Sequence, residues 1–266
     1  MLITLTTDFG TSSPYVAALK GSLLSVCRDV ELVDLTHGIS PQNVRQAAVV
    51  LADVTPFFPS GTLHVVVVDP GVGTERKLIY AEIAEQKYLA PDNGVLSYLA
   101  RSTPPRSIVE LAERSYWRAN ISETFHGRDV LAPVAGHLAA GLSPTLLGPE
   151  LKQFVQLAWA EPEFGSYVVR GEVLLVDSFG NLITNLLLRD LKNWSRGEVV
   201  TSVGGQEISG IQTTYGRAAA GELITLGDSQ GRFEIAQVNG NAAHTLGVLV
   251  GDLVQVFRAA PRPAQS

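Results

Sequence analysis

The residues of this chain that could carry chemistry fall in short clusters, each placed where an apolar run stops. The sharpest is His64-Val65-Val66-Val67-Val68-Asp69-Pro70-Gly71-Val72-Gly73-Thr74-Glu75-Arg76. Asp69 supplies a carboxylate and Arg76 a guanidinium, while Pro70, Gly71 and Gly73 make a tight loop able to fold one back towards the other. A carboxylate where a buried strand stops is a site candidate; Asp-Pro-Gly at a strand end is also an ordinary turn. Asp8 follows Thr6-Thr7, Asp34 closes another apolar stretch, and Asp92-Asn93 a third. His126 stands apart from the other histidines because Gly127-Arg128-Asp129 comes directly after it, just before a helix-like stretch. Lone histidines are usually structural, and His37, His64, His137 and His244 are assigned to that class.

Competing uses of these groups find little support. Carboxylates and histidines at neighbouring strand ends could bind a divalent ion, yet the chain has no HxxxH, DxD or CxxC spacing, and no metal is expected. Asp8-Phe9-Gly10 and His126-Gly127-Arg128-Asp129 superficially match kinase elements. Their order is inverted, the second is interrupted by glycine, and no glycine-rich loop precedes them. A dinucleotide fingerprint is missing after the first strand. Further along, Asp177-Ser178-Phe179-Gly180-Asn181 and Asn185 place turn-forming polar groups between strands, a pattern that spacing alone reads as a hairpin with Asx turns.

The elements that position these groups are read from periodicity. Residues 2–5 read as a strand, 15–27 as a helix, 31–35 as a strand and 43–54 as a helix. Four consecutive valines in 63–68 read as a strand buried on both faces, the state of a central strand in a parallel sheet. Residues 77–83 and 108–111 are further strands, 88–94 a strand-to-helix loop, and 130–140 a helix. This alternation implies an α/β domain over 1–160 with a mostly parallel sheet flanked by helices. In such sheets ligands bind beyond the carboxyl ends of the strands, where Asp69 falls. Composition shifts near 161–165. Residues 167–258 then show short β-rich runs broken by glycine, read as an all-β, barrel-like domain, and the Pro/Ala-rich 259–266 as a flexible tail.

Composition narrows the partners. With 45% hydrophobic and 17% charged residues, the 266-residue chain can bury a sizeable core. A net charge of −6 and no basic run argue against nucleic acid. Cys27 is the only cysteine, so no intrachain disulfide forms. The first residues read as a strand rather than a signal peptide. No apolar segment approaches the roughly 20 residues that span a bilayer, and a cytoplasmic location without membrane contact is expected.

Taken together, Thr6-Thr7-Asp8-Phe9-Gly10, Asp34-Leu35-Thr36-His37, Val68-Asp69-Pro70-Gly71-Val72-Gly73, Ala90-Pro91-Asp92-Asn93-Gly94, Phe125-His126-Gly127-Arg128-Asp129 and Asp177-Ser178-Phe179-Gly180-Asn181 resemble the S-adenosylmethionine hydroxide adenosyltransferase family, or SAM hydrolases, whose fold fluorinases and chlorinases share. The resemblance runs in order from residue 2 to about 257. It implies hydrolysis of S-adenosyl-L-methionine to adenosine and L-methionine, by attack of water or hydroxide on the ribose C5′, with no cofactor. It places the activating triad on Asp69, Arg76 and His126. It gives Asp8 the ribose hydroxyls, Asp177 the methionine amino group, Asn181 the adenine edge, Ser229 the neighbourhood of the methionine carboxylate, and Phe179 and Phe233 apolar walls. It also implies a homotrimer with sites at subunit interfaces. Halide-using relatives carry an aromatic residue where Asp69 stands, a serine at Gly127, a tryptophan at the position of Gln42, and an additional loop that this chain lacks. A halogenase is therefore a lesser alternative, beside a non-catalytic sensor that binds adenosine or S-adenosylmethionine.

Overall fold

Val65, Val66, Val67 and Val68 are 0, 0, 6 and 0% exposed, so the valine run is buried on both faces. Successive side chains of a strand point to opposite faces, and here they enter two different cores. Val65 and Val67 pack with Leu19, Leu23, Val134 and Leu138, whereas Val66 and Val68 pack with Ala47, Leu51 and Leu96. The computed structural model describes residues 1–191 and 193–258, which form two units divided between Ala158 and Trp159.

The first unit runs β1 (Leu2–Thr7), α1 (Tyr15–Val26), β2 (Glu31–Thr36), α2 (Val44–Val54), β3 (Leu63–Val67), β4 (Leu78–Ile83), β5 (Gln86–Pro91), α3 (Ser97–Ala100), β6 (Ser107–Glu110), a π-helical turn (Gly127–Leu131) and α4 (Ala132–Ala139). Its six-stranded sheet has the order β2-β1-β3-β5-β4-β6. Helices α1 and α4 contribute to the core on one face, α2 and α3 to that on the other. The strand pairs β1/β2, β1/β3 and β3/β5 are parallel, but β4 runs against both β5 and β6. The sheet is thus mixed, with three parallel pairs and two antiparallel ones, where the sequence predicts a mostly parallel sheet. The cause is the β4–β5 hairpin, which turns through Ala84 and Glu85 at φ 48° and 66°. Residues expected to form a strand-to-helix loop, Tyr88 to Pro91, belong to β5 in the middle of the sheet. Pro91 is tolerated because it sits at the strand's last position, opposite Leu78.

The second unit comprises β7 (Glu163–Phe164), β8 (Val168–Val176), β9 (Leu182–Leu187), β10 (Val199–Val203), β11 (Gln206–Ser209), β12 (Leu223–Gly227), β13 (Arg232–Gln237), α5 (Ala242–Leu246) and β14 (Leu253–Arg258). Its strand pairings are antiparallel, in the order β11-β10-β14-β8-β9-β13-β12, with β7 beside β8. The two edges approach each other: the Gln212 N–H donates to the Thr225 carbonyl at 2.7 Å, and the Thr225 hydroxyl to the Gly210 carbonyl. The result is a nearly closed, barrel-like sheet around Val169, Leu182, Phe233, Ile235 and Val254. Segment 259–266, read from sequence as a tail, lies outside the described residues. No helix among the described residues is long and apolar enough to cross a membrane.

Candidate active site

The chain passes from β1 to β2 on one side and then crosses to β3 on the other, so the carboxyl ends of β1 and β3 flank a topological switch point. That crevice is where open α/β sheets bind ligands. Asp8 is the first residue past β1 and Asp69 lies just past β3. Asp34 and Asp92 extend the same edge outward on β2 and beyond β5.

Asp69 is joined to Arg76 by the loop that the sequence suggested. The Val72 N–H donates to the Asp69 carbonyl at 3.2 Å and the Thr74 N–H to the Gly71 carbonyl at 3.1 Å, winding two successive turns. Glycine at 73 is required twice over: φ is 79°, and a Cβ there would lie 2.7 Å from the Glu123 carbonyl oxygen. The loop returns the guanidinium so that Nε lies 3.1 and 2.9 Å from the two oxygens of Asp69, and Nη2 lies 2.5 Å from Oδ2. The pair is largely withdrawn from water, with side chains 11 and 8% exposed. Nη2 also lies 2.9 Å from Nδ1 of His126. Arginine has no acceptor, so Nδ1 must accept and the imidazole proton resides on Nε2. Burial, then the Arg76 charge, push the His126 pKa below its ordinary value, against the opposing pull of Asp69 and Asp129. The site thus holds a carboxylate, a cation and a neutral imidazole whose free nitrogen is a donor.

His126 is placed by the residues on its C-terminal side. Gly127 sits against β3, where a Cβ would lie 2.7 Å from Cγ1 of Val67. Asp129, wholly buried, accepts from Nε and Nη2 of Arg128 at 2.7 Å each and from the Ser122 N–H at 2.9 Å. Burial alone would raise its pKa, but the Arg128 and Ser122 hydrogen bonds and the charges of Arg128 and Arg118 hold it below the carboxylate range. This knot fastens the segment leading into His126. The π-helical turn begins at Gly127, an irregularity frequent at functional sites.

Sequence reasoning missed an aromatic cluster. The rings of Phe9, Tyr15 and Phe125 meet pairwise edge-on with centroids 5.5–5.7 Å apart, tying the Asp8 loop to the segment before His126. Arg128 lies over Phe125 at 4.9 Å. The only signal in the sequence was an aromatic residue directly beside Asp8 and another beside His126.

Asp8, Asp92 and Asn93, also at strand ends of the first unit, each make local hydrogen bonds. Oδ2 of Asp8 accepts from the Gln42 N–H at 2.8 Å, which leaves Oδ1 without a protein donor among the described residues. Asp92 accepts from the Val155 N–H at 2.7 Å; burial raises its pKa. Asn93 donates to the Val68 carbonyl at 2.9 Å and braces the end of β3.

In the second unit, Oδ1 of Asp177 accepts from the N–H groups of Phe179 and Asn181 at 2.8 and 2.9 Å, and Oδ2 from the Asn181 side chain at 3.0 Å. The Asx turn is therefore present, and it groups the two polar residues expected to bind substrate. Phe179 is exposed. With Asn181, Tyr215, Gln237 and Gly240 it lines a cavity of 380 Å³. Ser229 is exposed in the β12–β13 turn, where Asp228 accepts from the Gln230 and Arg232 N–H groups. Phe233, the other residue expected as an apolar wall, is 0% exposed and packs in the core with Leu182 and Ile235. Its place on β13 explains this, since alternate residues of the strand face inward. A group the sequence did not flag is Glu234, 3% exposed, which accepts from the Tyr215 hydroxyl at 2.6 Å. Burial, and then the nearby carboxylates of Asp177 and Asp228, raise its pKa despite that bond. Among the described residues no three His, Cys, Asp or Glu side chains group as metal ligands would.

Residues 3–148 match the N-terminal domain of the SAM hydroxide adenosyltransferases and residues 171–255 their C-terminal domain, and the chain belongs to this family. Among its relatives, the chain is 38% identical to an (R)-S-adenosyl-L-methionine hydrolase of Salinispora tropica, over 96% of this chain and 97% of that one. It is 36% identical to an (R)-S-adenosyl-L-methionine hydrolase of Thermus thermophilus, over 94 and 97%. A fluorinase of Actinopolyspora mzabensis is more distant, at 24% identity over 97% of each chain. Among solved structures, an uncharacterized conserved protein from Thermotoga maritima superposes with a TM-score of 0.90 at 38% identity, over 97% of this chain and 100% of the other.

Proposed function

We propose that the protein hydrolyses S-adenosyl-L-methionine to adenosine and L-methionine. The observation that carries this reading is the Arg76 guanidinium, which joins Asp69 and His126 into one unit at the switch point. The sulfonium leaves as a neutral thioether, so no acid is needed at the leaving group. The difficult partner is water, whose pKa is about 15.7. In this mechanism water is held between a remaining lone-pair direction on Asp69 and the Nε2–H of His126. Its oxygen forms the new bond to C5′ as the C5′–S bond breaks, and its proton passes towards Asp69. Arg76 fixes both partners and offsets the charge that develops on the oxygen. His126 cannot be the base while Nδ1 accepts from Arg76, so its role is to donate and orient.

Asp8 takes the ribose hydroxyls in this reading, because a carboxylate accepts two hydrogen bonds from a vicinal diol. Asp177 meets the methionine ammonium, Asn181 the adenine edge, Phe179 a face of the base, and Ser229 the methionine carboxylate. The relatives' name, (R)-S-adenosyl-L-methionine hydrolase, and the presence of Asp69, Arg76 and His126 together support the assignment. The family resemblance further suggests a cytoplasmic homotrimer in which each site draws residues from two subunits, with no metal or other cofactor. An anionic Asp69 disfavours halide as nucleophile, since like charges about 4 Å apart repel by about 4 kcal/mol at an effective dielectric of about 20.

The test is incubation of purified protein with S-adenosyl-L-methionine in halide-free buffer, separating nucleoside products, with Asp69→Asn as control. Adenosine and methionine from the wild type but not the variant are expected. A ligand that binds and stays intact would replace this reading with that of a non-catalytic sensor.

A further inference from the structure

We infer that His37 is a positioning residue for the ribose-binding carboxylate, acting through Thr7 and the loop that carries Asp8; the inference rests on the reading of Asp8 above. His37 is 8% exposed, and its imidazole lies between β1 and β2. Nδ1 lies 2.9 Å from the Thr7 hydroxyl, and Nε2 lies 3.1 Å from Oδ1 of Asp34, itself paired with Lys20 at 2.6 Å. The carboxylate has only acceptors, so it favours the proton on Nε2 and leaves Nδ1 to accept. The Thr7 oxygen takes the Phe9 N–H at 3.2 Å, so its own proton is directed to Nδ1. The orientation thus runs one way, from the Phe9 amide through Thr7 to His37. Thr7 is wholly buried, so this hydroxyl is no nucleophile despite the carboxylate–imidazole–hydroxyl order.

The same histidine holds the loop from its backbone as well. Its carbonyl accepts from the Gly10 N–H at 2.9 Å, and five residues later the Gln42 N–H donates to Oδ2 of Asp8 at 2.8 Å. Segment 37–42 is therefore fastened to segment 7–10 at three points: the Thr7 side chain, the Gly10 amide and the Asp8 carboxylate. Asp8 lies between the first two. With one Asp8 oxygen committed to Gln42, the direction in which the other meets a diol is set by the seating of this loop. A general base or a metal ligand would need an open nitrogen, whereas Nδ1 is hydrogen-bonded to Thr7 and Nε2 is buried beside Oδ1 of Asp34, outside hydrogen-bond geometry.

The test compares binding of adenosine and 2′-deoxyadenosine to wild type, His37→Phe, His37→Asn and Thr7→Val by titration calorimetry. Asn keeps an acceptor where Nδ1 stands, and Val deletes the Thr7 hydroxyl at nearly constant volume. The expected result is that His37→Phe and Thr7→Val weaken adenosine about tenfold, the scale of one well-placed hydrogen bond, with 2′-deoxyadenosine unchanged, and that His37→Asn restores most of the preference. Equal weakening of both nucleosides, or an undiminished preference in Thr7→Val, would overturn the inference while leaving Asp8 in place. A wild type that does not distinguish the two nucleosides would overturn the ribose reading of Asp8 and this inference with it.

Discussion

A single nitrogen of Arg76 serves both His126 and Asp69: Nη2 stands 2.9 Å from the imidazole Nδ1 and 2.5 Å from the carboxylate Oδ2. The guanidinium is therefore the part of the site that the other two residues share, and its planar shape matters as much as its charge.

Arg76→Lys keeps the charge and loses the fork. One ammonium on a flexible stem cannot hold two partners in the same geometry, so kcat should fall about a hundredfold with KM within a few-fold, on the scale of a lost charge-stabilising donor. Steady-state kinetics on the folded variant decide it; a kcat close to that of wild type would show that charge alone suffices.

In the proposed mechanism His126 works in its neutral form, and its pKa is pushed down by burial and by Arg76. Activity should accordingly rise with pH through a limb lying below the ordinary histidine value of about 6.5, because protonation would place a proton on Nδ1 facing Arg76. The pH dependence of kcat/KM measures this limb, and in His126→Gln it should vanish along with most of the rate. A limb above the ordinary value would mean that the protonated imidazole is the working form.

Gly127→Ser puts a Cβ 2.7 Å from Cγ1 of Val67, a stiff β-branched residue on the central strand. The strain should cost about 1–3 kcal/mol of stability, measured by urea unfolding. Adding Val67→Ala should recover part of the loss; additive losses would mean that the strain lies elsewhere.

His64 offers a stability test away from the site. It is wholly buried, hydrogen-bonded to Thr4 at 2.7 Å and stacked on Tyr88 at 5.0 Å, and burial lowers its pKa to about 4. The unfolded chain binds a proton near pH 6.5 and the folded one only near 4, so stability is full above 6.5 and declines as the pH falls towards 4. Between about pH 7 and about pH 5 the loss should be about 2 kcal/mol at about 1.4 kcal/mol per unit. Unfolding of wild type and His64→Leu at both pH values isolates the contribution, which the variant should lack.

The elements carrying the first-unit site were legible because their signals are local. Four valines ending at Asp69 announce a central strand, and the glycines after it announce the return of Arg76. What could not be read is set by tertiary pairing. Strand β5 opens on Gln86-Lys87 and closes on Pro91, a pattern with no apolar alternation at its ends, and only its partners on both sides make it central. Sequence alone places His37 among the structural histidines, because nothing near it in the chain reveals Thr7. The inward register of Phe233 on β13 depends on how that strand pairs. The Tyr215–Glu234 contact joins residues on separate segments, so no spacing rule could have found it.

The pairing of Thr7 with Val67 has a consequence for how this scaffold changes over time. Asp8 and Asp69 leave the sheet from adjacent strands whose separation is fixed by backbone hydrogen bonding at about 4.8 Å. The gauge that spaces these two carboxylates is thus written in main chain, which point substitutions leave nearly untouched. Residues at the strand tips and in the loops beyond them can be exchanged for others of different chemistry without resetting that gauge. If Asp8 holds the ribose as proposed, a fold built this way can trade one nucleophile for another while that hold stays in register.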